Sequence, residues 1–381
     1  MLKISDILKK AKANKQKKET TAQEINEPSA KSMSLTQPLA SNDEIKSEEE
    51  NNQSDASIKQ QNPVVSKKKE QPPINKEQDK AEPFESKIAS DIYKKAVIFI
   101  SGLVDRFDNG NDGVFKLAED IVEELIRLLK QDDNQLLRLF FAEYSFKKGY
   151  LYQHSVNVCI LCLKLAIVLD YDQIRLKQIG LSALVHDIGL VSHDNLISKP
   201  ARFSDNDHLE IRKHPIQGKD ILKNIAGDLN FEIFDVIHQE HERLDGSGYP
   251  YGLKDKEICE YARLIGLVDV YEAITHNRPY RKKIMQIKII KEILQDKNKF
   301  DLKFIKTLID SVGIYPLMTM VRLNTKEIAE VVGQNQRMPF RPIIKVSYDA
   351  HAQKISQEKL IDLSENFSVY ILDIYKAINL K

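Results

Sequence analysis

Three apolar helical segments of this chain each carry a charged or titratable residue where a core residue is expected. In LSALVHDIGL, His186 and Asp187 interrupt a run of leucine, valine and isoleucine. Asp269 stands among similar residues in ARLIGLVDVYEAIT, and His154 precedes the apolar run 156–169. Burying an unpaired carboxylate in such surroundings is strongly unfavourable. One such case could be a satisfied core histidine or a single hydrogen bond between helices, but three favour helices that converge on a shared cation.

Three further side chains are candidates for the same site. His214 precedes Pro215, which suits the first position of a helix, so the histidine stands at a helix entrance. Glu240 and His241 end a helix that begins at Phe231, directly before the loop DGSGYPYG. Seven candidates exceed the needs of one ion, and two ions sharing a bridging carboxylate would accommodate them. The candidates are His154, His186, Asp187, His214, Glu240, His241 and Asp269.

The types of these side chains indicate the kind of metal. Imidazole and carboxylate ligands together suit Fe, Mn or Zn. The absence of cysteine ligands argues against a closed structural zinc site. We therefore expect divalent metal ions with a role in chemistry.

The chain divides into four segments by composition. Residues 1–82 contain no aromatic residue and no glycine, so they cannot bury enough apolar surface to fold and form a predicted disordered tail. Helical periodicity runs through 83–140, a predicted N-terminal helical segment, and through 141–311, a predicted helical domain. Residues 312–381 contain MTMVRL, EIAEVV and PIIKVSY with turn residues between them, which predicts a small antiparallel β extension. The predicted fold class is mainly α.

The predicted helices beyond the N-terminal segment are Leu151 to Leu169, Ile174 to Ile188, Pro215 to Ile225, Phe231 to Gln239, Glu257 to Thr275 and Ile284 to Leu294. The segment 83–140 either mediates homodimerisation or only completes the fold.

Charge and cysteine content exclude some functions. A formal net charge of +1 gives no field that would hold a nucleic-acid polymer. No stretch of about 18 consecutive apolar residues predicts a transmembrane segment. Three cysteines in a chain of this length favour a reducing cytoplasm. Cys159 and Cys162, one helical turn apart, are interpreted as buried thiols, with a redox or metal pair as the alternative.

The remaining histidines lie in other settings. A polar or loop context predicts solvent exposure for His193, His208, His276 and His351. His238 stands one turn before His241 and is a candidate for a supporting position.

Four motifs together resemble one family. HDIG at His186, HP at His214, HERLDGSGYP at His241 and DVYEAITHNRPYR at Asp269 resemble the HD-GYP phosphodiesterases of the HD superfamily, which hydrolyse cyclic di-GMP. The resemblance runs from about Tyr144 to Tyr348, because the C-terminal strands also look like the β extension of many members. It implies an HD-superfamily helical bundle.

The resemblance implies a division of the ligands between two metals. One would be held by His154, His186, Asp187 and Asp269, and the other by Asp187, His214, Glu240 and His241. Asp187 would then bridge, and an oxygen ligand at Glu240, where members more often have histidine, would favour Mn or Fe. Tyr150 occupies the position of a glutamate that supports a third metal in some members. Leu190 replaces a lysine that many members carry, which removes a candidate phosphate contact.

The same resemblance implies substrate contacts. Arg278 and Arg281 in RPYR would bind a phosphate, although a solvated basic helix start is the alternative from the sequence alone. Gly248 and its neighbouring glycines would let the loop backbone approach a ligand, and Tyr249 would hydrogen-bond or stack near a guanine. Without the family, the loop would be a simple turn between helices. Arg243 and Asp245 are expected to brace it.

The implied activity is a cytoplasmic phosphodiesterase that cuts cyclic di-GMP to linear pGpG, with GMP as a further product left open. Asp187 and His186 would be catalytic, at a dinuclear centre with a bridging hydroxide nucleophile. Two alternatives stay open: a catalytically weak module that binds cyclic di-GMP, and an HD-type hydrolase of another cyclic dinucleotide.

Overall fold

The protein is described here by a computed structural model that covers residues 87–103, 113–142, 150–197, 203–226, 231–276, 286–336 and 338–375. These residues belong to one compact unit. The predicted tail, residues 1–82, lies outside the described residues.

The helices and strands follow in chain order. The α-helices are α1 (Lys87–Ser101), α2 (Val114–Gln131), α3 (Asp133–Phe141), α4 (Tyr150–Val168), α5 (Gln173–Val185), α6 (Asp194–Ile197), α7 (Asp205–Ile211), α8 (His214–Ala226), α9 (Phe231–Gln239), α10 (Glu260–Thr275), α11 (Gln286–Gln295) and α12 (Leu302–Val312). Short 3-10 helices are Ile188–His193, Asp255–Glu257 and Lys297–Lys299. The strands are β1 (Met320–Leu323), β2 (Ile328–Gly333), β3 (Ile343–Tyr348), β4 (Lys354–Asp362) and β5 (Ile371–Ile374).

Helix α4 is the centre of the helical domain. It is mostly apolar, and every residue from Gln153 to Ala166 is buried. Helices α1, α2, α3, α5, α10 and α12 pack against it. Within the described residues it is the one helix long and apolar enough to cross a membrane, and 78% of that apolar window is buried in the protein. Cys159 and Cys162 are both buried free thiols on this helix, as predicted.

The N-terminal helices complete the covering of α4. Helix α1 buries Ile92, Tyr93, Ala96 and Phe99, which recur at three- and four-residue spacing and so form one face. Helix α2 buries a similar stripe that includes Leu125. The core of the domain is therefore shared between the predicted N-terminal segment and the predicted helical domain.

One predicted helix ends earlier than the sequence indicated. The helix predicted to run to Ile188 stops at Val185, and the next two residues form a turn. A Cβ atom on Gly189 would lie 2.0 Å from the carbonyl oxygen of His214, so glycine permits close contact with the start of α8. The prediction was wrong here because periodicity of apolar residues continues across the turn. The consequence is that the HDIG turn lies directly against α8.

The C-terminal part is a five-stranded antiparallel sheet in the order β4-β3-β2-β1-β5. Val331 pairs with Ile344 and both are fully buried, because alternate residues of β2 and β3 face the core. Arg138 of α3 forms an ion pair with Glu330 of β2 at 3.6 Å, which links the sheet to the helices. The predicted class, mainly α with a small C-terminal antiparallel sheet, is confirmed.

Candidate metal centre

The first cluster of candidate ligands comes from α4, the HDIG turn and α10. His154, His186 and Asp269 each offer an atom within 4.8 Å of the others. The Nε2 atom of His154 lies 3.1 Å from Oδ1 of Asp269. Both histidines are buried in the core. These side chains are the ones that the sequence placed among apolar residues.

The second cluster comes from the HDIG turn, the first residue of α8 and the end of α9. Asp187, His214, Glu240 and His241 offer atoms within 4.8 Å of one another. The Nε2 atom of His214 lies 3.0 Å from Nε2 of His241 and 3.6 Å from Oε1 of Glu240. All seven predicted ligands therefore lie in one of two adjacent groups.

Asp187 stands between the two groups. Its Oδ2 atom lies 3.5 Å from Nε2 of His154 and 3.4 Å from Nε2 of His186. Its Oδ1 atom lies 3.4 Å from Nε2 of His214. One oxygen faces each cluster, which is the arrangement that a bridging carboxylate requires.

Backbone contacts orient two of the imidazole rings. Nδ1 of His186 donates to the carbonyl oxygen of Ala183 at 2.8 Å, and Nδ1 of His214 donates to that of Ile211 at 2.8 Å. Because Nδ1 carries the proton in each ring, the Nε2 lone pair faces the centre. Nitrogen lone pairs so directed are suited to a metal ion.

The unsatisfied polar atoms test whether a metal fits. Within the described residues, Nε2 of His186 and both carboxylate oxygens of Glu240 are buried without a hydrogen-bond partner. Buried polar atoms in proteins are nearly always paired, so unpaired donors and acceptors need an explanation. Divalent cations at the two clusters would satisfy these atoms, since each atom can act as a ligand. The residues present therefore fit a metal centre.

The charges of the site are strongly coupled. Burial opposes the charged form of His186, but the carboxylates of Asp187 and Glu240 outweigh it and raise the pKa of His186. Burial works against ionised Asp187 as well, yet His186 keeps the pKa of Asp187 well below its usual range. Burial raises the pKa of Glu240, although His186 opposes the shift. Burial and the neighbouring His214 lower the pKa of His241 to about 3, so this ring is neutral at pH 7.

Glu272 is a residue of the site that sequence reasoning missed. Its Oε2 atom contacts Nδ1 of His154, and its side chain is buried on α10. It follows Asp269 by three residues, so both carboxylates lie on the same face of the helix. That spacing was the signal in the sequence that could have found it.

The loop after His241 is held by its own polar groups. Glu242, another residue missed from the sequence, is buried and accepts hydrogen bonds from the backbone N–H groups of Tyr251 at 2.7 Å and Leu253 at 3.0 Å. Arg243 donates through Nη1 to the carbonyl oxygens of Glu240 at 3.0 Å and Glu242 at 2.8 Å. The predicted bracing role of Arg243 is confirmed.

The position of Gly248 has a different reason from the one predicted. A Cβ atom there would lie 2.4 Å from the backbone nitrogen of Arg243 and 2.4 Å from Cα of Glu242. In the described structure, Gly248 therefore lies close to the backbone of its own loop. Its predicted contact with a ligand stays a prediction.

Tyr249 packs beside the second cluster. Its ring stacks on that of His241 with centroids 4.7 Å apart, and the guanidinium carbon of Arg212 lies 4.9 Å from the Tyr249 centroid. The ring thus orients a candidate ligand. The predicted contact with a guanine stays a prediction.

The other sequence predictions have mixed outcomes. Arg278 and Arg281 lie outside the described residues. His208 and His351 are exposed, as expected. The exposure predicted for His193 was wrong, because its Nε2 atom pairs with Oε1 of Gln217 at 2.6 Å in a buried position.

Two histidines near the site have other partners. His276 is partly buried, against expectation, because its Nε2 atom donates to the carbonyl oxygen of Phe140 at 2.6 Å. His238 contacts Lys219 and Tyr251.

Sequence comparisons place the chain among known proteins. Residues 146–304 match the HD domain, and residues 320–381 match the KOW domain associated with the HD domain. A cyclic di-GMP phosphodiesterase of Pseudomonas aeruginosa is 33% identical over 247 residues, which cover 65% of this chain and 59% of that protein. A cyclic di-GMP phosphodiesterase of Borreliella burgdorferi is 29% identical over 232 residues, covering 60% of this chain and 59% of that protein. The chain therefore spans less than two thirds of the length of these relatives.

Two further similarities were found. A 3'3'-cGAMP-specific phosphodiesterase of Vibrio cholerae is 36% identical over 136 residues, which cover 35% of this chain and 31% of that protein. Among solved structures, the HDG"Y"P protein of Bdellovibrio bacteriovorus shares the fold, with a TM-score of 0.50, 22% identity, and coverage of 58% of this chain and 70% of that chain.

The fold, the clustered ligands and the comparisons together define a class of protein. Members of this class have an HD domain, which is a domain type that uses divalent metal ions, followed by a KOW domain. Within that class, the matched HD domain and the named relatives support the HD-GYP family that the motifs indicated.

Proposed function

We propose that this protein is a metal-dependent phosphodiesterase that hydrolyses cyclic di-GMP to linear pGpG. The observation that carries the proposal is the convergence of seven buried or nearly buried nitrogen and oxygen ligands on two adjacent groups with Asp187 between them. The relatives named as cyclic di-GMP phosphodiesterases support the substrate. Whether GMP is a further product depends on a second hydrolysis.

The side chains of the site have distinct proposed roles. His154, His186 and Asp269 would hold one divalent ion, His214, Glu240 and His241 would hold a second, and Asp187 would offer one oxygen to each group. Iron or manganese suits this set best, because Glu240 adds a hard oxygen ligand. When bound, two such ions would supply an activated water nucleophile and would neutralise charge on the phosphodiester.

The remaining proposed contacts orient the substrate. Arg278 and Arg281 bind the phosphate that is not being cleaved, because guanidinium groups pair with phosphate oxygens in two directions. Tyr249 and Gly248 contact the nucleotide at the loop. His186 and Asp187 are the residues at which we expect substitution to be most damaging to turnover. The three free cysteines support a reducing, cytoplasmic location.

The test combines metal content with turnover. Purified protein should contain about two transition-metal ions per chain by elemental analysis and convert cyclic di-GMP to pGpG by chromatography. Asp187→Asn should lower kcat roughly 100- to 1,000-fold or more, on the order seen when stabilisation of transition-state charge is lost. Asp205→Asn, at an exposed aspartate of α7, is the control and should keep full activity. Equal rates for Asp187→Asn and the parent would contradict the proposal.

A second candidate substrate follows from one relative. The similarity to a 3'3'-cGAMP-specific phosphodiesterase supports hydrolysis of a mixed cyclic dinucleotide. A panel of cyclic di-GMP, 3'3'-cGAMP and cyclic di-AMP under the same conditions separates the two by their kcat/KM values. Tight binding of cyclic di-GMP without hydrolysis of any of the three nucleotides would instead favour a binding module. Leu190, which stands where many family members carry a lysine, motivates this alternative.

A further inference from the structure

A continuous chain of buried polar groups connects helix α1 to the metal centre. The Tyr93 hydroxyl donates to Oδ1 of Asn157 at 2.8 Å. Nδ2 of Asn157 donates to Oε1 of Glu272 at 3.0 Å, and Oε2 of Glu272 contacts Nδ1 of His154. The four residues are only 3% to 4% exposed. They join α1, α4 and α10.

The contacts to Glu272 determine how His154 faces the centre. A carboxylate accepts the Nδ1 proton of His154, which leaves the lone pair on Nε2, the atom directed at Asp269 and Asp187. Glu272 can do this only if its carboxylate is held in one orientation. Asn157 fixes Oε1, and Nδ1 of His276 lies 3.2 Å from the same oxygen.

Tyr93 fixes the orientation of Asn157. By donating to Oδ1, the tyrosine hydroxyl makes the amide nitrogen the atom that faces Glu272. Without this hydroxyl, Oδ1 of Asn157 loses its hydrogen-bond donor. The orientation of the amide with its nitrogen toward Glu272 is then no longer favoured over the rotated one. The rotated amide would place its oxygen against the carboxylate, which is repulsive.

Tyr93 lies outside the segment that matches the HD domain, which begins at residue 146. We propose that Tyr93 is a positioning residue for the metal ligand His154, acting through Asn157 and Glu272. Helix α1 is thereby part of the metal centre, although it provides no ligand. The inference rests on the metal site of the proposed function.

The experiment measures metal affinity and not turnover. Mn²⁺ is titrated into the metal-free full chain in competition with a chelator of known affinity. Tyr93→Phe removes one hydroxyl and keeps the ring, and we expect it to weaken one of two Mn²⁺ sites about 10-fold, at the low end of the range for residues that support ligands. The other site should change less, because the ring of its ligand His214 is oriented by a separate acceptor, the carbonyl oxygen of Ile211.

Tyr271→Phe is the matched control. Tyr271 is fully buried on α10 directly before Glu272, and its hydroxyl has no hydrogen-bond partner among the described residues. Removing that hydroxyl should leave both Mn²⁺ affinities as in the parent. Parent-like affinities in Tyr93→Phe, or an equal loss in Tyr271→Phe, would overturn the inference.

A double substitution tests the route through Glu272. Glu272→Gln alone should weaken the same site, and adding Tyr93→Phe to it should cause no further loss. Independent, multiplying losses would show that Tyr93 acts in another way.

Thermal unfolding distinguishes positioning from a merely structural role. In Tyr93→Phe, the rise in Tm on adding Mn²⁺ should be smaller than in the parent, because ligand affinity sets that rise. An unchanged rise, with a lower Tm in EDTA, would mean that the hydroxyl only stabilises the fold.

A parent chain that binds no Mn²⁺ would overturn both the inference and the metal-dependent function. A parent that binds Mn²⁺ without hydrolysing cyclic dinucleotides would overturn the function alone.

Discussion

Asp187 shows how one residue can organise the whole site. Its two oxygens face different groups of histidines, and it lies in a turn directly after α5, not in the middle of a helix. The surrounding charges are balanced only in part, because Glu240 is buried with both oxygens unsatisfied among the described residues. Buried imidazole nitrogens and carboxylate oxygens arranged in this way are suited to hold cations.

The affinity for metal should rise with pH. The pKa values of His186 and His214 are raised, since the adjacent carboxylates outweigh burial, so protons and metal compete for the same nitrogen atoms. Lowering the pH keeps these rings protonated and weakens binding, and raising the pH through their pKa values removes the competing protons. We expect Mn²⁺ affinity to be at least about 10-fold higher at pH 8 than at pH 6, with protons released on binding. Calorimetry in two buffers measures the Mn²⁺ affinity and the number of protons released. A pH-independent affinity without proton release would contradict this prediction.

The amino-acid sequence indicated the candidate metal ligands but not the residues that orient them. His154, Asp187 and Asp269 were detectable because charge among apolar residues is conspicuous in a sequence. Glu272 was missed although its three-residue spacing from Asp269 could have indicated it. Asn157 was not detectable, since what distinguishes it is a partner on another helix, and spacing along the chain does not reveal such a partner. Gly248 was predicted to let the loop approach a ligand, whereas the close approach in the described structure is to Glu242 and Arg243.

At the scale of elements, the contact between the HDIG turn and α8 joins the two halves of the site. The predicted helices match the observed ones to within a few residues, because apolar residues recur at short intervals along each of them. The end of α5 was misplaced, since the apolar pattern continues into Ile188 while the backbone turns. In the sheet, β4 and β5 were not located individually, because their many exposed residues lack the alternation of a half-buried strand.

Gly189→Ala should separate the two halves of the site. The added Cβ would meet the His214 carbonyl oxygen at 2.0 Å, and backbone atoms cannot yield as a flexible side chain can. We expect unfolding free energy to fall by about 1–3 kcal/mol, the usual cost of overpacking, with weaker binding of Mn²⁺. Gly218→Ala is the comparison and should cost less, because its Cβ would lie 3.1 Å from a side-chain methyl of Ile237 and 3.2 Å from the backbone nitrogen of Gly189. Chemical denaturation of both variants measures the difference, and equal stability of Gly189→Ala and the parent would contradict it.

At the scale of the whole molecule, elements outside the HD domain contribute to its core. Helix α1 packs Ile92 and Phe99 into the core, and Arg138 connects the helices to the sheet. The change from helical to strand patterns was predicted at residue 312, and in the structure α12 ends at Val312 and β1 begins at Met320. The sequence pattern could not show that α1 shares a core with α4, because shared burial depends on the arrangement of helices in space.

Two truncations should behave differently. A chain of residues 83–381 should keep the Tm and the Mn²⁺ affinity of the parent, because the removed residues form the predicted disordered tail. A chain of residues 104–381 also loses α1, whose large apolar side chains each contribute about 1.5–3 kcal/mol when fully buried. We expect it to aggregate or to unfold well below the parent Tm. Circular dichroism during heating compares them, and a parent-like melting curve for 104–381 would show that α1 is dispensable.

Helix α4 has a consequence for how the protein is made. Its apolar stretch is of membrane-spanning length, and α10, which covers one of its sides, ends about 100 residues later. At roughly 5–20 residues per second, a ribosome needs about 5–20 s to add them. During that interval the nascent chain displays a segment that insertion machinery could mistake for a membrane anchor. We therefore expect newly synthesised chains to need a chaperone until translation has passed α10.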